Sequence, residues 1–86
     1  MTKQNILEQY KRMGKNFMTP NVKSYILTED NRIVELSSGT DFEGKVIYSV
    51  SEFKNGDYGL ETTKRGQMHR SLKSAKKHFN ILLGAF

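Results

Sequence analysis

Residues 62–79 carry the densest charge in this sequence. The stretch contains six Lys or Arg side chains and two His, and it has no acidic residue. Cationic side chains at this density neutralise phosphate groups, and phosphate contacts supply most of the affinity of basic proteins for nucleic acid. The chemistry that these residue types favour is therefore binding of a polyanion, not the making or breaking of covalent bonds.

The residues expected to contact nucleic acid, DNA or RNA, lie where the last predicted strand meets the last predicted helix. Two of them, Gln67 and Ser71, are neutral hydrogen-bond donors. The full set is Lys64, Arg65, Gln67, Arg70, Ser71, Lys73 and Lys77. The competing interpretation is a solvated basic face, partly paired with acids from elsewhere in the chain, because most short runs of charge do no more than that.

The middle of the chain has the opposite charge. Residues 28–61 carry eight Asp or Glu against three Lys or Arg. Such polarity favours a second interpretation: a small protein-binding inhibitor or adaptor, of the phage or mobile-element type that acts against host defences. Its acidic loops would meet a basic host protein, and Ile81 would contact a partner or a second copy of the chain. Its expected contact residues are Glu29, Asp30, Asp41, Glu43, Asp57 and Ile81.

Nothing in the sequence predicts catalysis. Ser74 and His78 are one helical turn apart, but a hydroxyl and an imidazole need a third, orienting group and an oxyanion site. The second histidine, His69, is nine residues from His78, no cysteine is present, and this is not the spacing of metal ligands. We therefore predict no catalytic residue, no metal and no cofactor.

Size and composition indicate what kind of domain carries these residues. A chain of 86 residues predicts one small domain, residues 1–86, with a core that buries about two-thirds of the unfolded surface. The absence of cysteine excludes disulfides. No apolar run reaches the length of a signal peptide core or of a membrane span, so a cytoplasmic protein with no membrane contact is expected.

Apolar spacing predicts a helix at each end of the chain. Residues 3–13 have an apolar stripe at helical spacing, with Thr2 as the N-cap and Gly14 as the stop. Residues 72–83 have a second stripe, with Ser71 as the N-cap and Gly84 as the stop.

Between the helices the apolar period falls to two, which predicts strands. The strands are expected at 22–28, 32–36, 45–53 and 58–63, with a polar loop at 37–44. In the second hairpin, a three-residue loop at Lys54–Gly56 would place Val50 opposite Leu60 and Tyr48 opposite Thr62, so that apolar side chains share one face.

Together these elements predict an α+β fold in the order α-β-β-β-β-α. Two layers are expected: an antiparallel sheet of about four strands, with both helices on one face. The segment SLKSAKKHF, residues 71–79, resembles the second helix of the double-stranded-RNA-binding domain, because Lys73, Ala75 and Lys76 match its spacing. Leu72 stands where that family has a lysine, and no functional residue is transferred from the family.

Overall fold

The computed structural model describes residues 2–13 and 17–84, which form two helices and one antiparallel sheet. The α+β class and the order of the elements agree with the sequence prediction, and a fifth, three-residue strand extends the sheet. The elements are α1 (Lys3–Arg12), β1 (Asn21–Leu27), β2 (Arg32–Thr40), β3 (Val46–Gly56), β4 (Gly59–Thr62), β5 (Gln67–His69) and α2 (Leu72–Leu83).

Both helices begin at the predicted caps. The Thr2 hydroxyl accepts a hydrogen bond from the Asn5 amide at 3.2 Å, and Ser71 accepts one from Ser74 at the same distance. Each cap satisfies an amide that the helix itself leaves unpaired. Gly84 ends α2 in the left-handed conformation, with φ of 81°. The predicted stop at Gly14 lies outside the described residues.

The sheet is organised around the long strand β3. β2 pairs with one edge of β3 along its length, and β1 pairs with the outer edge of β2. The other edge of β3 is shared by two short strands. β4 pairs with residues 53–56 and β5 with residues 48–50. This division brings β5, and the helix that follows it, back beside the middle of the sheet.

The helices lie on opposite faces of the sheet, so the predicted placement of both on one face is wrong. α2 packs on Val34, Leu36 and Val50. The buried Ile6 of α1 packs in a second cluster, with Ile33. Neighbouring residues of a strand point to opposite faces, so Ile33 and Val34 face different layers. The fold has three layers: α1, the sheet and α2.

β2 continues through half of the predicted polar loop, because residues 37–40 are strand. The small side chains at these positions let Met18 and Thr19 pack on this end of the sheet. The Ser37 hydroxyl donates to Thr19 at 2.9 Å. A Cβ placed on Gly39 would lie 2.0 Å from the Met18 carbonyl oxygen, so only glycine fits this contact. The remaining loop is the short turn at residues 41–45.

The hairpin of β3 and β4 has a different register from the predicted one. Val50 does not pair with Leu60, and the three-residue loop is absent. Thr62 lies opposite Phe53 instead of Tyr48. The prediction assumed that burial on a single face selects the pairing, whereas both faces of this sheet are covered.

The turn of this hairpin is formed by Asp57 and Tyr58, because β3 continues to Gly56. Gly59 follows with φ of +117°, a conformation that side-chain-bearing residues rarely adopt. Leu60 then packs in the α1 cluster, and β5 takes the place beside Val50.

Candidate functional site

The cations of residues 64–77 lie on α2, on the turn between β4 and β5, and in the link between β5 and α2. We call this region the basic surface, and its members are Lys64, Arg65, Arg70, Lys73, Lys76 and Lys77. All six side chains are exposed. Gln67 is also exposed, at the start of β5, whereas Ser71 is engaged as the N-cap of α2.

The lysines of α2 are exposed because the opposite side of the helix is buried. Ala75, Phe79 and Leu82 pack on the sheet. At 100° per residue, Lys73 and Lys77 point away from these residues and are about 6 Å apart along the helix axis. Their side chains therefore form a row on the outer face of the helix.

A pair of histidines holds the β4–β5 turn against α2. The Nε2 atom of His78 lies 2.9 Å from the Arg65 carbonyl oxygen, and its Nδ1 atom lies 2.8 Å from His69 Nε2. A carbonyl oxygen only accepts, so His78 donates to it through Nε2. In the neutral pair, His78 Nδ1 therefore accepts from His69 Nε2. Ser74, one helical turn before His78, donates its backbone amide to the Ser71 cap.

The histidine pair has two consequences for the basic surface. It places Arg65 next to His78, which directly follows Lys77 in α2. The turn and the helix therefore contribute to one surface. The pair also disfavours protonation of His69: burial, and then the charge of His78, lower the pKa of His69 below its ordinary value.

Glu52 lies behind the basic surface and is 2% exposed. Its Oε2 atom accepts from Arg32 Nη1 at 2.5 Å and lies 3.3 Å from Arg65 Nη1. Its Oε1 atom accepts from the Thr63 hydroxyl at 2.8 Å. Arg32 Nη1 also donates to the Leu82 carbonyl at 2.7 Å, which satisfies an orphan carbonyl in the last turn of α2.

Sequence reasoning did not identify this network, because Glu52 was one of eight acids in a polar segment. The available signal was its position in β3. Glu52 is two residues from Val50 and shares its face of the sheet, so the strand period places it toward α2.

The second pairing joins Arg70 to the turn at residues 41–45. Arg70 Nη1 donates to Asp41 Oδ2 at 2.7 Å, and this hydrogen bond is the main cause that lowers the pKa of Asp41. Two of the six cations are thus paired with carboxylates. Within residues 2–13 and 17–84, no carboxylate forms an ion pair with the other four, which are Lys64, Lys73, Lys76 and Lys77.

The acids of the alternative site are divided between the two ends of the sheet. Glu29 and Asp30 lie in the β1–β2 turn, at the same end as Asp57, whereas Asp41 and Glu43 lie in the β2–β3 turn at the other end. Asp30 pairs with Arg32, and Glu43 pairs with Lys45 at 3.5 Å. Ile81 is 42% exposed on the outer side of α2.

In the part of the chain that the structure describes, no three His, Cys, Asp or Glu side chains are grouped so as to hold a metal ion. None of its described helices is both long and apolar enough to cross a membrane. The chain matches no protein-family model, no curated protein and no solved structure.

Proposed function

We propose that this chain is a non-catalytic nucleic-acid-binding protein that contacts phosphates through its basic surface. The observation that carries the proposal is the row of lysines on α2, Lys73, Lys76 and Lys77, which face outward without an ion pair among the described residues. Lysines on an ordered helix present their charges at fixed spacing, which a flexible basic tail does not.

The paired arginines support the same surface. The side chains of Arg65 and Arg70 are 56% and 76% exposed, although each is paired with a carboxylate. A guanidinium has five donors, so one carboxylate leaves others free for phosphate oxygens. Glu52 and Asp41 therefore orient these arginines and reduce the net charge of the surface without covering it.

The salt dependence of binding measures how many phosphates are neutralised. If the four unpaired lysines each neutralise one phosphate of a duplex, the log–log slope is about −3.6, and affinity falls about a hundredfold between 50 and 200 mM salt. Fluorescence anisotropy with a labelled 20-base-pair duplex tests this. An affinity that stays constant over this range contradicts phosphate binding.

A pair of double variants separates the basic surface from net charge. Lys73→Glu with Lys77→Glu should weaken binding at least tenfold and flatten the salt slope by about two, because two phosphate contacts are lost. The control, Lys11→Glu with Lys23→Glu, changes net charge equally on α1 and β1. Equal losses in both double variants would show that binding follows net charge and not this surface.

The alternative, a protein-binding inhibitor or adaptor, is supported by Glu29 and Asp57. Both are exposed at one end of the sheet, without an ion pair among the described residues. Glu29→Lys with Asp57→Lys should abolish capture of a basic protein if this proposal holds. A homodimer through Ile81 is tested by light scattering of Ile81→Asp, which should halve the mass of a dimer.

A further inference from the structure

The turn between β2 and β3 presents an aromatic ring to solvent. Phe42 is 98% exposed, although burial of a Phe side chain is worth about 1.5–3 kcal/mol. The turn that carries it is ordered by Asp41, whose Oδ1 atom accepts from the amides of Glu43 and Lys45 at 2.9 Å. The exposed ring is therefore carried by a turn whose backbone is ordered by hydrogen bonds.

This turn adjoins the basic surface. Asp41 also accepts from Arg70, the residue just before the cap of α2, so Phe42 lies one residue from a carboxylate bonded to the basic surface. Lys45, at the other side of the turn, is 71% exposed and paired only with the exposed Glu43 at 3.5 Å. The turn that carries the ring is thus joined to the basic surface, and the two acids beside the ring, Asp41 and Glu43, are each paired with a cation.

An open groove begins where the same turn ends. Its lining includes Phe17, Pro20, Ser38, Thr40 and Val46, and its volume is about 340 Å³. A groove of this size has room for one flat ring system. Thr40 and Val46 pair at the base of the turn, and Phe17, in the groove wall, is 91% exposed.

We propose that Phe42 and this groove form a base-stacking surface, and that the polyanion bound by the basic surface is single-stranded nucleic acid. The inference rests on the proposed function and names its substrate class. Stacking of a base on an aromatic ring needs an open base face, which a single strand offers and the interior of a duplex does not. The neighbouring cations track the phosphates of the same strand.

Single-residue variants test the stacking role directly. Phe42→Ala should weaken binding of a labelled 20-nucleotide oligothymidine at least fivefold, because the loss of one base–aromatic stack lowers affinity by about that factor or more. The same variant should change the affinity for duplex less than twofold. The matched control is Tyr58→Ala. Tyr58 is 99% exposed on the turn at the opposite end of the sheet, and its removal should change neither affinity.

A tryptophan variant gives a direct readout of the contact. The chain has no tryptophan, so Phe42→Trp introduces a single one. Its fluorescence should be quenched in a saturable way by oligothymidine, and should be unaffected by an equal phosphate concentration of duplex. A signal that responds equally to both forms contradicts stacking.

The outcomes distinguish the two proposals. A parent protein that binds neither probe overturns the proposed function, and this inference with it. A parent that binds, with Phe42→Ala leaving the single-strand affinity unchanged, overturns the inference alone. An equal loss of affinity for the oligothymidine and for the duplex also overturns the inference, because the ring would then not distinguish single-stranded from double-stranded nucleic acid.

Discussion

Replacement of Glu52 by Gln tests whether the buried carboxylate holds the two arginines and the end of α2. The substitution keeps the size of the side chain and removes its charge. Arg32 then loses its partner at 2.5 Å, and Arg65 loses the partner at 3.3 Å. Thr63 keeps a potential acceptor in the amide oxygen.

The magnitude follows from the burial of each partner. Removal of one member of a buried ion pair costs about 3–5 kcal/mol, because the other charge is left without compensation. Here the cost is reduced, since the Arg32 side chain is 20% exposed and retains Asp30. Arg65 is 56% exposed and is rehydrated. We expect a loss of about 2–3 kcal/mol, a large part of the stability of a small domain.

Urea denaturation at pH 7 measures this loss. The midpoint should fall while the slope m stays the same, because the unfolded surface area hardly changes. The matched control is Glu43→Gln. That carboxylate is 75% exposed and pairs with Lys45 at 3.5 Å, so its loss should stay within about 0.5 kcal/mol.

Two outcomes would refute this reasoning. One outcome is a Glu52→Gln variant whose free energy of unfolding stays within about 0.5 kcal/mol of the parent value. It would show that desolvation of these charges offsets their attraction, so that the network adds no net stability. Equal losses at positions 52 and 43 would show that the burial of Glu52 does not matter.

Three further predictions concern the core, a close contact and pH. Phe79→Ala should cost about 3–5 kcal/mol in urea denaturation, because it leaves a cavity between α2 and the sheet; a loss below about 1 kcal/mol contradicts the packing. Gly39→Ala should lower the melting temperature, because its Cβ meets the Met18 carbonyl oxygen; an unchanged value would place that segment elsewhere. The folded chain binds fewer protons at His69 than the unfolded chain, since the pKa of His69 is lowered from 6.5, so stability should fall as pH drops below that value. Urea midpoints of His69→Gln should depend less on pH in that window, and identical pH profiles would exclude the effect.

Local signals predicted the helices and their caps well. Thr2, Ser71 and Gly84 act where the sequence placed them, because a cap is decided within a few neighbouring residues. The exposure of Lys73 and Lys77 was equally predictable, because the apolar stripe of α2 determines which side of the helix faces water.

Pairings between distant residues were less predictable. We assumed that only one face of the sheet is buried, and this led to the wrong hairpin register. The alternation of apolar and polar residues within β3 does not show whether a second layer covers the other face. The partner of Arg70 is 29 positions away, and that of Arg65 is 13 positions away. No local pattern selects one carboxylate among eight.

The sequence by itself determined the two capped helices, the antiparallel strands between them and the segregation of charge along the chain. These features follow from side-chain period, backbone preference and residue type, which act over a few positions. Only the tertiary structure decided that the helices lie on opposite faces, that Glu52 and Asp41 hold the two arginines of the basic surface, and that the turn carrying Phe42 is joined to that surface. Those arrangements depend on which distant surfaces meet when the core is buried, and burial constrains the whole chain at once.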